Sequence, residues 1–325
     1  MPASRPSLIS ILLACSIYSH ASAFLTGPSS KQVIPVNRML SANGLNAGDS
    51  PFFADFVDDK DSKSPANGET TVVVAGATGY IGRAVVLESV KKGFKTIALV
   101  RSIDRIISEE GQLLYGESFN GAEIAEVDVS DADSLSDYFA SVDGNIDTIV
   151  SCLASPVGTK QEAYAIDYQA SLNCLNAGRD NRVKARHYVM LSAFCCQKPL
   201  LQLQKAKLKM EAELAKQTDL TWSVVRPTAF FKSVSGQLEG IQNGNPYVLF
   251  DDGAVTRCNP IAENELAEFM LNTLHDEEKW NTIMNVGGPD EPLTNKMLGE
   301  VSFVIFITLF HLFIRDLRHL FFECR

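Results

Sequence analysis

Cysteine is scarce and unpatterned. The seven residues Cys15, Cys152, Cys174, Cys195, Cys196, Cys258 and Cys324 form no Cys-x-x-Cys, and the five histidines have no metal-ligand spacing. Both facts argue against a disulfide scaffold and a zinc module, and no metal site is expected. A basic surplus is missing too: 29 Lys and Arg face 39 Asp and Glu, a net charge of −10. Nucleic-acid binding needs a concentrated basic face, so that class is disfavoured. Long apolar runs are also lacking, since neither Leu8–Tyr18 nor the 14 residues Val301–Ile314 reach the length of a membrane span. What remains is a chain of 325 residues, 46% apolar and 21% charged. It can bury a real core in one large domain or two modest ones.

Acid is absent from residues 1–48, which hold only Arg5, Lys31 and Arg38 as charges. Arg5, the apolar run Leu8–Tyr18 and Ala21-Ser22-Ala23 describe a secretory signal peptide over 1–23. Residues 24–48, with Ser29, Ser30, Lys31, Arg38 and Ser41, read as a transit peptide. Together they resemble the bipartite presequence of algal plastid proteins, in which Ala-Ser-Ala-Phe marks cleavage; Ala21 to Phe24 matches it. Import into a complex plastid through the secretory route is expected, with plain secretion and a pro-segment as the competing reading. Residues 49–69, rich in Asp and Lys, read as a linker.

A β-branched run, Thr70 to Ala75, precedes Gly76-Ala77-Thr78-Gly79-Tyr80-Ile81-Gly82, which opens an amphipathic helix through Lys92. Lys95 to Val100 follows as a second strand. Glycines between strand and helix turn the chain, admit a diphosphate to the backbone and let helix pack on strand. The helix N-terminus supplies N–H groups to that diphosphate. Gly76, Thr78, Gly79, Tyr80, Ile81 and Gly82 are therefore cofactor-binding candidates. Arg101 ends the second strand where an acid would select NAD, with Arg105 a turn further on, so NADPH is preferred.

Strands continue at Ala122–Val127, Asp147–Cys152, His187–Leu191 and Thr221–Val225. Helices fall between them at Ala163–Gly178 and Leu200–Lys216. This predicts an α/β fold, a doubly wound parallel sheet of the NAD(P)-binding Rossmann type over 70–229, with ligands at the strands' carboxyl ends. Asp128 and Val129 are expected at the adenine, and Cys152, Leu153 and Ala154 beside the middle of the cofactor. Pro227 and Thr228 lie at the last strand end. Residues 230–300 read as a smaller substrate-covering part, with a turn at Asp251-Asp252-Gly253 and a helix near Glu263–Leu274.

This layout resembles the short-chain dehydrogenase/reductase superfamily, in which a Ser or Thr ends strand five and Tyr-x-x-x-Lys follows on the next helix. The resemblance carries the serine to Ser192 and the lysine to Lys207, which would hold the nicotinamide ribose. The tyrosine position is Leu203, and leucine cannot shuttle a proton, so alcohol–ketone chemistry is disfavoured.

Two blocks narrow the likeness. They are Ser192 to Leu214, with Gln197-Lys198-Pro199-Leu200-Leu201 and Ala206-Lys207-Leu208-Lys209, and Val225-Arg226-Pro227-Thr228-Ala229-Phe230-Phe231-Lys232-Ser233. They resemble the plant-type NADPH-dependent divinyl chlorophyllide 8-vinyl reductases, a family that lacks the tyrosine. The resemblance implies reduction of a vinyl group of divinyl (proto)chlorophyllide a to ethyl by NADPH. Lys207 would take an electrostatic role on the ribose, Ser192 would lie near nicotinamide or substrate, and Phe194, Phe230 and Phe231 could line a macrocycle site. The competing readings are a non-catalytic NADP(H)-binding sensor or assembly factor, and another plastid reductase of the superfamily. Residues 301–325 depart from the family's ending. They read as intron sequence translated past a splice donor encoding Val301-Ser302, with a tail anchor or a surface helix associating peripherally with plastid membranes as the competing reading.

Overall fold

A computed structural model of the chain describes residues 70–107, 114–234, 236–249 and 252–304. The expected signal peptide, transit peptide, linker and all but the first four residues of the 301–325 tail lie outside the described residues.

Seven strands form one sheet: β1 (Thr71–Ala75), β2 (Lys95–Val100), β3 (Glu123–Glu126), β4 (Thr148–Ser151), β5 (His187–Leu191), β6 (Thr221–Pro227) and β7 (Thr282–Val286). Their order is β7-β6-β5-β4-β1-β2-β3, and every neighbouring pair is parallel. Val73 stands between Ile97 on β2 and Ile149 on β4. A parallel sheet is covered on both faces, which is why β1 is apolar almost throughout and buried at all five positions. Val72, Val74, Ala98 and Val100 pack toward helices α1 (Tyr80–Lys91) and α5 (Glu263–Asn272). Val73, Ala75, Ile97 and Leu99 face the opposite layer with α2 (Ala132–Ser141), α3 (Ser171–Arg179) and α4 (Gln202–Leu214).

The helix expected over Ala163–Gly178 is divided. An α turn, Lys160–Ala163, leads into a π-helical segment, Tyr164–Ala170, and then α3. Its buried stripe runs Ala163, Asp167, Ala170, Cys174 and Ala177, so a carboxylate stands where the periodicity calls for an apolar side chain.

The chain divides into two compact units, and the expected 230–300 part does not stay whole. Asn67–Phe230 and Cys258–Pro292 form one unit; Phe231–Arg257 and the chain from Leu293 belong to the other. The return is physical: β7 covers β6, and α5 contributes Leu266, Ala267, Met270 and Leu271 to the core beside α1. Within the second unit, the Gln237 side chain brackets Val248 with two hydrogen bonds, and Tyr247 Oη donates to Asn295 O at 3.2 Å. Residues 295–304 are helical. Among the described residues no helix is long and apolar enough to cross a membrane.

Candidate functional site

The strand order reverses between β1 and β4, the place where open α/β sheets bind ligands. Gly76, directly after β1, has φ +77°, and a Cβ there would lie 2.8 Å from the carbonyl of Cys152. Gly82 is tighter: its Cβ would sit 2.0 Å from Gly76 O. Gly79 is the exposed N-cap of α1, and the first intrahelical bond runs from Arg83 N–H to Gly79 O. No side chain caps this helix and its first turn holds no acid, so its positive end suits an anion. Thr78 is half-buried in the same loop. Ile81 lies in the core, which leaves its backbone as the part a ligand could meet. Tyr80 Oη donates to Glu263 Oε2 at 2.6 Å, and its ring meets Phe230 edge-on at 5.9 Å.

Arg101 follows β2 and is exposed. Its charge helps hold the Asp128 carboxyl below the usual range, after the larger effect of hydrogen bonds from the side chain and backbone of Ser130. The ends of β2 and β3 are thus electrostatically joined. Glu126 Oε2 accepts Ile103 N–H at 2.9 Å and fixes the turn behind Arg101. Val129 is buried, and its carbonyl accepts from Asn173 Nδ2 at 3.0 Å.

Beyond β4, the side chains of Cys152 and Leu153 point into the two cores, one on each face of the sheet, while Ala154 is exposed. Burial pushes the Cys152 thiol up to about 12, against the pull of Lys207, so it stays neutral. Lys207 is 5% exposed. Its Nζ donates to Leu153 O and Leu191 O, both at 3.0 Å, and so ties the ends of β4 and β5 together. Asp167 Oδ1 lies 3.2 Å from the same Nζ, and Oδ2 accepts Ser155 N–H at 3.2 Å.

Ser192, directly after β5, is buried and donates to Glu211 Oε1 at 2.5 Å. Arg226 holds both oxygens of that carboxylate, through Nε to Oε1 at 3.0 Å and a closer contact from Nη2 to Oε2. Leu203, Lys207 and Glu211 recur every four residues and share one face of α4. Pro227 pairs with Val286 on β7. Thr228 N–H donates to Val286 O at 2.9 Å, and its hydroxyl donates to Asn259 O. Phe194 is exposed, Phe230 packs on Tyr80, and Phe231 begins the second unit.

Asp167 is absent from the residues expected at this edge, although a lone carboxylate within an apolar helical stripe marks it. Ser155 and Arg226 lie at the ends of β4 and β6, where ligands are expected, but no local signal gave their partners. Among the described residues, Ser155 Oγ and Asp167 Oδ1 are the buried side-chain polar atoms that take no hydrogen bond. Their residues are joined by the bond from Ser155 N–H to Asp167 Oδ2, and Asp167 Oδ1 lies against Lys207. Orphaned polar atoms, a cradle that any Cβ would fill and an uncapped helix end together fit a polyhydroxylated, diphosphate-bearing cofactor.

Fold and site define a protein of the NAD(P)-binding doubly wound class, and the pattern of the NAD(P)H-binding family matches residues 76–277. The sheet is shared with solved structures of UDP-glucose 4-epimerase from Thermotoga maritima with UDP-glucose (TM-score 0.58, 17% identity, 72% of this chain and 81% of that one). It is shared too with UDP-glucuronic acid 4-epimerase from Bacillus cereus in complex with NAD (TM-score 0.57, 14% identity, 70% and 80%). Identities this low speak for the fold alone. The chain is 44% identical to "Divinyl chlorophyllide a 8-vinyl-reductase, chloroplastic" of Cucumis sativus, over 72% of this chain and 57% of that protein. It is 38% identical to the protein of the same name from Oryza sativa subsp. indica, over 91% and 76%. The chain belongs to the divinyl chlorophyllide a 8-vinyl-reductase family. It spans under three fifths of the length of the Cucumis sativus and Arabidopsis thaliana members, 57% and 59%.

Proposed function

We propose that the protein reduces the 8-vinyl group of divinyl chlorophyllide a, or of its protochlorophyllide precursor, to ethyl, with NADPH as donor, in plastid chlorophyll synthesis. Family membership supports the substrate, and the relatives' chloroplastic names support the compartment. Arrival in a complex plastid through the secretory route belongs to the same proposal, on the strength of the Ala21-Ser22-Ala23-Phe24 motif.

One observation carries the chemistry. Leu203 stands one turn before Lys207 on the same face of α4, so the usual proton-transfer position holds a hydrocarbon. Ser192 commits its single hydroxyl proton to Glu211, whose carboxylate can only accept it while Arg226 balances its charge. Neither residue is set to protonate an oxyanion. A carbon–carbon double bond conjugated to a macrocycle develops none, because its charge spreads through the ring. Bound NADPH would supply a hydride to the terminal vinyl carbon, and the carbanion it leaves would take its proton at the inner carbon from water or from another group of the site. Gly76, Thr78, Gly79, Tyr80, Ile81 and Gly82 are assigned to its diphosphate, Arg101 to the 2′-phosphate, and Asp128 and Val129 to the adenine. Cys152, Leu153, Ala154, Pro227 and Thr228 are assigned to its nicotinamide half through their backbone. Two of the three Lys207 N–H groups are committed to carbonyls, and the third is assigned to the ribose. Phe231–Arg257 is assigned to the substrate-covering part. Peripheral association with plastid membranes belongs to the same proposal, on the strength of the apolar run Val301–Ile314.

The test is turnover of divinyl chlorophyllide a with NADPH by the purified chain, with products separated chromatographically. A monovinyl, ethyl-bearing product is expected. NADPH binding without product would overturn the reductase reading.

A further inference from the structure

Asp167 poses an electrostatic question. It is 1% exposed, its Oδ2 accepts Ser155 N–H, and its Oδ1 faces Lys207 Nζ at 3.2 Å without a hydrogen bond. A buried charge pair is tolerated when the remaining lone pairs and protons are satisfied. Here one carboxylate oxygen and one ammonium proton are left over at the same point, and Ser155, whose Oγ is the other orphan, is bonded to the same carboxylate through its N–H. Their position is set by backbone. Lys207 reaches the carbonyls that end β4 and β5, and the wide turn of the π-helical segment Tyr164–Ala170 carries Asp167 to the same point. Such a set, one acceptor and one donor about 3 Å apart, matches a hydroxyl group, which accepts from the ammonium and donates to the carboxylate.

We propose that Asp167 is a cofactor-binding residue: its Oδ1 accepts the proton of a hydroxyl on the nicotinamide ribose, while its charge holds the Lys207 ammonium in place for the same sugar. This rests on the NADPH reading above and extends it. With Leu203 in place of a phenol, the ribose has lost one polar neighbour on α4, and Asp167, on the π-helical segment, supplies one beside Lys207. Other charged groups on the packed elements are committed elsewhere: Glu211 to Ser192 and Arg226, and Glu162 to Val157 N–H. Lys209 on α4 lies over the Tyr168 ring at 3.9 Å.

The experiment is a binding cycle on the full chain, read by NADPH fluorescence without substrate. NADPH and analogues lacking the 2′- or the 3′-hydroxyl of the nicotinamide ribose are titrated into the wild type and Asp167→Asn. The wild type should lose about tenfold or more in affinity on removal of one of these hydroxyls, the size of a charge-assisted hydrogen bond. Asp167→Asn should bind NADPH about tenfold more weakly and lose less than about threefold on the same removal, because the partners act as a coupled pair. A purely structural Asp167 would leave both proteins equally sensitive to the hydroxyl, and that result overturns the proposal. Asp167→Glu keeps the charge beside Lys207 and displaces the oxygen, which guards against misfolding of the asparagine variant. It should fold, bind NADPH more weakly and show the same loss of coupling; wild-type affinity with unaltered coupling would overturn the proposal. A wild type that binds no NADPH sinks the cofactor reading itself. A wild type that binds NADPH but is indifferent to both hydroxyls sinks Asp167 alone.

Discussion

Ser192 gives its one hydroxyl proton to Glu211 across 2.5 Å, and Arg226 closes on the same carboxylate from the next strand. All three are wholly or largely buried, so the group stands or falls together. Removing the carboxylate in Glu211→Ala should cost about 3–5 kcal/mol, because it strands a guanidinium in the interior. Ser192→Ala should cost only about 1–2 kcal/mol, the worth of one hydrogen bond. Urea denaturation of the two variants checks the order, and the double change Glu211→Ala with Arg226→Met should recover part of the larger loss.

Gly82 and Gly79 separate packing from binding. A Cβ on Gly82 meets a backbone oxygen at 2.0 Å, whereas one on Gly79 meets it at 3.2 Å beside open solvent. Gly82→Ala should lower stability by about 3 kcal/mol or more, as overpacking against backbone does. Gly79→Ala should melt close to the wild type and weaken NADPH binding, because its methyl would occupy the approach proposed for the diphosphate. Thermal melts and NADPH titration, run side by side, distinguish the two.

Arg101 sits exposed beyond β2, next to Asp128. Arg101→Ala should weaken NADPH binding about tenfold, in line with loss of a charge-assisted phosphate contact, and leave NADH binding nearly unchanged. Competition titrations of the two cofactors measure the ratio.

The position of hydrogen transfer is open to isotopes. With NADPH deuterated at its transferable hydrogen, label should appear in the CH3 of the new ethyl group, because addition at the terminal carbon leaves charge where the macrocycle can delocalise it. Label in the CH2, read by NMR of the product, would reverse the polarity.

His187 governs acid sensitivity. It is buried in β5, its Nδ1 lies 2.7 Å from Thr221 Oγ1, and burial, assisted by the charge of His275, lowers its pKa to about 4. The unfolded chain takes up the proton near pH 6.5, so stability should fall as pH drops from about 6.5 to 4 and level off below. The loss should be about 2–3 kcal/mol at pH 4. Denaturant midpoints for the wild type and His187→Asn across this range isolate it, since the asparagine has no proton to gain.

Local patterns foretold much of this molecule. β2 and β5 have the bounds read from the chain, and β1 and β4 differ by a residue at the ends, because runs of buried β-branched side chains are legible without context. Boundaries failed where long-range contact overrode local preference. Past Ala229 the pattern reads as irregular, yet Thr282–Val286 completes the sheet. That strand alternates half-buried and exposed positions at an edge, and it pairs with β6 across more than fifty residues of sequence. The helix expected over Ala163–Gly178 hid its π-helical turn, because the extra residue leaves the apolar spacing nearly intact.

The amino-acid order alone determined six of the seven strands, the glycine-bearing turn, Lys207 and the missing phenol at Leu203, since each depends on residues within a few positions of one another. Only the tertiary structure decided that Asp167 faces Lys207, that Ser192 is bound to Glu211 and Arg226, and that Cys258–Pro292 rejoins the sheet. Those contacts join groups 15 to 40 residues apart or more. Burial gives them their strength, and no single stretch of chain contains the neighbours that exclude the water.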